Sequence, residues 1–347
     1  MPQPEIRPRI AAVVVNYNYE KYVAEAVDSL LAQSTSFDEI LVVDDGSTDG
    51  SVEVLRSFGS RIQLIEKENG GQLSAAWTAL ASTDCDYLYV LDSDDVASPR
   101  LLETVAPHLA TRPVKVQFQL HSMDEHGTAI DSIFPTFAPG YSQAEMIEDN
   151  TVLGFYVCPP TSGNVFRTDY LRGLASESLN EREAYDGVPA QVAPYFGPIV
   201  SLNTPLVRYR VHSQSDSQWG RPTPALLRSE MARFTSRWEE SNAVLASRGY
   251  PRVPSGRSVF QLEHQLMIDA LEGRRVPVST VLQYIRLVAR SGLSRSQRLA
   301  FSGWAALLLV PPRRRAASLV LSRRSSAGRS RFVQRIVRLA RSTRTVS

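Results

Sequence analysis

The sequence has only two cysteines, Cys85 and Cys158, in 347 residues. That excludes a disulfide framework and suits reduced thiols in a cytosolic protein. It lacks an unbroken apolar run of the ~20 residues that a membrane span needs. The nearest, 299–312, is interrupted by Ser302 and Gly303. The polar start, Met1-Pro2-Gln3-Pro4-Glu5-Ile6-Arg7-Pro8, has no apolar core of a signal peptide. No glycine occurs in Asn16-Tyr17-Asn18-Tyr19-Glu20, after the first apolar run, so a glycine-rich phosphate loop is missing there. Acid and lysine are missing from 273–347, which carries 17 arginines. The first 272 residues therefore hold all 36 acidic residues against 21 basic ones. An acidic body joined to a basic tail points to an anionic partner for the tail.

The first third alternates two patterns. Residues 10–15 form a continuous apolar run, as in a strand covered on both faces. Tyr22, Val23, Ala26, Val27, Leu30 and Leu31 then recur at helical spacing. Residues 40–43, 62–65 and 87–91 repeat the strand signature, with helical patterns between and after them. This order predicts an α/β fold, a mostly parallel sheet flanked by helices. Ligands of such sheets sit at the carboxyl ends of the strands. Three polar turns fall there: Asn16-Tyr17-Asn18, Asp44-Asp45-Gly46-Ser47 and Asp92-Ser93-Asp94-Asp95. Further strands are expected at 114–120, 164–166, 200–202 and 206–211, and helices beyond Thr223.

Three carboxylates in four residues, Asp92, Asp94 and Asp95, have two readings. Ser93 or Asp94 caps the helix entered through Pro99. Alternatively the cluster binds a hard divalent cation, which takes carboxylate and phosphate oxygens. Asp44 and Asp45 end a neighbouring strand and suit a nucleobase ring N–H. Tyr17 offers an aromatic face to a base. Together these residues describe a nucleotide site.

Val13-Val14-Val15-Asn16-Tyr17-Asn18, Val42-Val43-Asp44-Asp45-Gly46-Ser47-Thr48-Asp49, Glu68-Asn69-Gly70-Gly71, Leu91-Asp92-Ser93-Asp94-Asp95 and the later Tyr209-Arg210-Val211-His212 resemble, in order and spacing, the motifs of family 2 inverting glycosyltransferases of the GT-A fold. The resemblance implies a GT-A-like, Rossmann-type catalytic domain over 1–222. It implies transfer of a sugar from a nucleoside-diphosphate sugar, UDP by default, to a hydroxyl of a glycan or lipid-linked acceptor, in surface polysaccharide or glycolipid synthesis. Mn2+ or Mg2+ is the implied cofactor. By the same resemblance Tyr17 stacks on the base and Asp45 accepts its ring N–H. Asn16, Asp44, Asn69 and Ser93 complete the donor site. Asp92 faces the ribose or sugar, Asp94 binds the metal, and His212 is a second possible metal ligand. The family's general base is a later carboxylate; among Glu181, Glu183 and Asp186 we favour Asp186, with Glu183 as runner-up. Trp77 and Ala79 depart from the pattern, where relatives place Asn and Gly. The alternatives are a catalytically silent nucleotide- or glycan-binding scaffold, or a nucleotidyltransferase on a related sheet.

The tail is read from its periodicity. At about 100° per residue, Phe332, Val333, Ile336, Val337, Leu339 and Ala340 fill one arc of 331–341. Arg331, Gln334, Arg335, Arg338 and Arg341 fill the other. That is the pattern of a helix lying in an anionic membrane surface. Residues 223–347 are thus expected to form a helical, membrane-associating extension, holding a cytoplasmic protein at the inner face of the cell membrane. Nucleic acid is not expected as a partner.

Overall fold

The computed structural model describes residues 7–177, 179–180, 185–212, 222–250, 252–253, 258–291, 293, 295–309, 318–321 and 323. They fall in two compact units, one drawn from 1–143, 157–213 and 244–250, the other from 144–156, 214–243 and 251–347. The helix pattern at 331–341 lies outside the described residues.

The first unit is α/β. It runs β1 (Ile10–Asn16), α1 (Val23–Leu31), β2 (Glu39–Asp44), α2 (Ser51–Arg56), β3 (Gln63–Glu66), α3 (Gln72–Ala81), β4 (Tyr87–Asp92), β5 (Val96–Ala97) and α4 (Leu101–Val105). Next come β6 (Lys115–Met123), β7 (Ala129–Phe134), α5 (Gln143–Leu153, nearly all in the second unit), β8 (Asn164–Arg167), α6 (Thr168–Ala175), α7 (Val188–Phe196) and β9 (Ile199–Arg210). One sheet orders these strands β3-β2-β1-β4-β8-β6-β9-β5, with β7 paired to β6. Strands β3, β2, β1, β4, β6 and β9 share one direction, and β8, β5 and β7 oppose it. The two strands expected at 200–202 and 206–211 are a single one, β9. It stays continuous because register shifts opposite Phe118, Gln119 and Leu120 absorb Pro205.

The apolar runs explain the layering. Ile10, Ala12 and Val14 of β1 join one core cluster with Val23, Ala26, Val27 and Leu30 of α1. Ala11 and Val13, on the alternate face, are also buried, and α3 lies against β1 and β2. The buried residues of α3 include the small Ala75, Ala76 and Ala79 beside Leu73 and Leu80. In-register parallel pairing sets Asn16 opposite Asp44 and Val15 opposite Asp92. Three polar strand ends therefore share one edge.

The second unit is helical. Most of α8 (Pro224–Ser247) belongs to it, with α9 (Val259–Leu271), α10 (Val278–Arg290) and α11 (Arg295–Leu307). Leu266, Val281, Tyr284, Val288 and Trp304 pack in its core. Ser258 caps α9 reciprocally with Gln261. Among the described residues no helix is long and apolar enough to cross a membrane.

The turn after β2 depends on Gly46, whose φ is +77° and where a Cβ would lie 2.8 Å from the Asn69 amide nitrogen. Gly46→Ala is expected to cost about 1–3 kcal/mol. Calorimetry should show the melting temperature falling by roughly 2–10 °C. An unchanged value would mean that the turn relaxes around a side chain.

Candidate active site

The acids at the strand ends have separate duties. Asp44 is used up by its own turn. Its carboxylate accepts from Asn16 Nδ2 (2.8 Å), Ser47 N (2.9 Å) and Ser47 Oγ (2.6 Å). Asn18 holds the same turn through Thr48 N, at 2.7 Å. Asp45, also buried, faces the other way. Its Oδ1 accepts from Lys67 Nζ (2.7 Å) and Gly70 N (2.9 Å), and its Oδ2 from Gly71 N (2.7 Å). The Gly70-Gly71 step thus sets the direction of the Asp45 carboxylate. Tyr17, between these turns, is 46% exposed, so its ring is open to a ligand. Asn69 is exposed and Ser93 buried.

The cluster after β4 does not cap a helix. Asp95 N bonds back to Asp92 O, the short β5 follows, and α4 begins only at Leu101, after Arg100 and without a side-chain cap. That removes the capping reading of Ser93 and Asp94. The half-buried Asp92 accepts from Gln72 Nε2 at 2.5 Å, and its backbone N–H donates to Ser162 Oγ at 3.0 Å. Asp94 meets His212 Nε2 at 2.9 Å, and both side chains are largely buried. Asp95 is fully buried, and its Oδ1 accepts from Arg210 N at 2.9 Å. The Asp95 carboxylate also engages the Ser162 hydroxyl. Among the described residues, Asn16 Oδ1 is a buried acceptor on this edge without a hydrogen-bond partner, which a bound group would satisfy.

Electrostatics follow from burial. Desolvation pushes the carboxyls of Asp92 and Asp95 well above the usual range, and neighbouring charges add to it: Asp94 and then Asp186 for Asp92, Asp94 and then Asp92 for Asp95. Asp94 is raised by desolvation as well, against the hydrogen bond and charge of His212. Asp186 is half-buried, and its charge reaches Asp92 across the chain. The fold brings Asp92, Asp94, His212 and Asp186 into one region. Glu183 lies outside the described residues.

Three residues were not singled out by sequence reasoning. Gln72 bonds Asp92 and also accepts from Tyr185 N at 2.9 Å. Lys67 partners Asp45. Glu25 partners Arg208 and Arg210. Arg210 is buried and committed: Nε donates to Asp94 O (2.8 Å), one terminal nitrogen to Glu125 O (3.2 Å) and the other to Glu25 (2.5 Å). It braces the acidic turn. No periodicity signals such partners, because each contact joins residues far apart in the chain.

Asp95→Asn keeps an acceptor for Arg210 N and removes one of the repelling charges. A raised carboxyl pKa means that the folded chain loses stability as pH climbs from about 4 through that raised value; asparagine has no such loss. The metal-free variant should melt at a higher temperature than the wild type, and the gap should be wider at about pH 8 than at about pH 5. A lower melting temperature at both pH values would overturn this account of the cluster.

Residues 11–167 match the model of glycosyl transferase family 2. An uncharacterized glycosyltransferase of Nostoc sp. is 30% identical over 217 residues, covering 60% of this chain and 66% of the relative. The glycosyltransferase GlyG of Streptococcus pneumoniae is 36% identical over 100 residues, covering 28% of this chain and 33% of the relative. The chain thus spans 66% of the first relative's length and a third of the second's. Among solved structures, S. aureus TarS 1–349 in complex with UDP-GlcNAc superposes with a TM-score of 0.50 at 15% identity over 91% of each chain, a likeness of fold. Through residues 11–167 the chain belongs to glycosyl transferase family 2, and it carries a GT-A fold.

Proposed function

We propose that the chain is an inverting glycosyltransferase that moves a sugar from a nucleoside-diphosphate sugar to the hydroxyl of a glycan or lipid-linked acceptor. The observation that carries this reading is the acidic turn after β4. Its carboxylates are half-buried or buried at a strand end, cap no helix, and are tied through Gln72 to the turn that carries Asp186. The family match and the UDP-GlcNAc held by TarS support a nucleotide-sugar donor, with UDP as the default base.

In this reading Tyr17 stacks on the base, Asp45 accepts its ring N–H, and Asp92 orients the ribose or sugar. Asp44 and Asn16 shape the wall of the same pocket. Asp94 and His212 supply two ligands, a carboxylate and an imidazole. Among the described residues no group of three or more such side chains converges. That donor set fits Mn2+ or Mg2+ arriving with a diphosphate, since such ions take one or two protein carboxylates and complete their shell from phosphate and water. The cation would neutralise charge on the departing diphosphate. Asp186 takes the proton from the acceptor hydroxyl as its oxygen attacks the anomeric carbon in line with the leaving phosphate. Asp95, fully buried beneath the turn and bonded to the Arg210 N–H, holds that turn in place.

Residues 1–222 are the catalytic part in this reading, and 223–347 the basic extension that meets an anionic membrane at its inner face. Among the described residues of that extension, Val278, Leu282, Leu299 and Leu307 are exposed on the same helices as the exposed Arg286, Arg290 and Arg295, and 273–347 holds no acid. Synthesis of a surface polysaccharide or glycolipid would place the acceptor there.

Calorimetric titration with UDP, GDP and dTDP, with and without Mn2+, tests the donor site. One nucleotide should bind, with affinity falling at least about tenfold without Mn2+ or in Asp94→Ala. Binding of none would sink the reading. Asp186→Asn should keep that binding and lower transfer by about 100-fold or more. Vesicle flotation should recover the chain with anionic lipid and not with neutral lipid; equal recovery would remove the membrane from the reading.

A further inference from the structure

Gln72 is the first residue of α3 and follows the two glycines whose amides hold Asp45. Its backbone is therefore fixed before its side chain begins. That side chain reaches two distant parts of the chain. Nε2 donates to Asp92 Oδ1 at 2.5 Å, and Oε1 accepts from the Tyr185 N–H at 2.9 Å. A primary amide donates and accepts at once whatever the pH. Glutamate cannot donate when ionised, and methionine does neither job well.

The residue after Tyr185 is Asp186. Tyr185 is fully buried, and its ring meets Phe166 edge-on with centroids 5.5 Å apart. Phe166 in turn pairs with Leu88 of β4. The Tyr185 side chain thus anchors the turn to the sheet, and Gln72 anchors its backbone to the acidic cluster. The neutral amide links Asp92 to the turn that carries Asp186 without adding charge.

We propose that Gln72 is a positioning residue: one amide sets the Asp186 turn against Asp92, so that donor and proton acceptor are aligned by a single side chain. The proposal rests on reading Asp186 as the base. It implies that Gln72 touches neither the base nor the phosphates of the nucleotide, and that its loss is felt in turnover rather than in nucleotide affinity.

The test uses the full chain with Gln72→Met and Gln72→Glu. The first readout is hydrogen exchange at the Tyr185 amide, which needs no substrate. Exchange should quicken by about tenfold in Gln72→Met. In Gln72→Glu it should stay near wild type, because an acceptor remains. The second readout is UDP release from UDP-GlcNAc and other UDP-sugars, beside UDP affinity. Gln72→Met should keep UDP affinity within about threefold and lower release by about tenfold or more. In an Asp186→Asn background the same change should alter the residual rate by less than about twofold, because the residue acts through Asp186. Unchanged Tyr185 exchange in Gln72→Met, or the same loss of rate in both backgrounds, would overturn the proposal while leaving the glycosyltransferase reading intact. Full release by Asp186→Asn would overturn the assignment of the base, and the proposal with it. A wild-type chain that neither binds UDP nor releases it from any donor would overturn both.

Discussion

Like charge at the end of β4 is the constraint around which the site is built. Three carboxylates lie within four residues, and burial makes each harder to ionise beside the others. Each is braced by a different part of the chain: Asp92 by Gln72 and Ser162, Asp94 by His212, Asp95 by the Arg210 backbone. The braces come from α3, from the loop before β8 and from the end of β9. The far end of the sheet thus folds back to stabilise the near end. Arg210 shows the cost of this arrangement. A buried guanidinium, stacked over Tyr22 and tied to Glu25, supports one acidic turn and has no terminal nitrogen left unengaged.

Carboxylates of the same type meet different fates a residue apart. Asp44 and Asp45 are adjacent, yet their carboxylates have entirely different partners. Asp44 closes a turn through Ser47 and Asn16. Asp45 is aimed by two glycine amides and a lysine. The first makes the edge rigid and the second uses that rigidity. A site held this way needs little rearrangement when its ligand arrives, which is the condition under which fixed dipoles and charges act most strongly.

The family match ends at Arg167, before Asp186 and His212. In the proposed reading, the residues assigned to the donor side other than His212 lie within that match, whereas the proposed base Asp186 and the imidazole of His212 lie beyond it.

By itself the sequence determined the alternation of strand and helix, because buried parallel strands demand unbroken apolar runs and their covering helices a 3.6-residue period. It also determined which strand ends are polar, and so where a site forms. Local patterns carry that information whole. The fate of each polar group was decided only by tertiary structure. That the Asp92–Asp95 turn caps no helix depends on β5 intervening before α4. That Pro205 sits inside one strand depends on shifts in its neighbour β6. That Gln72, Lys67 and Glu25 belong to the site depends on contacts spanning 20 to 185 residues of chain. No local pattern records such contacts, because a hydrogen bond constrains two groups in space and says nothing about the chain between them.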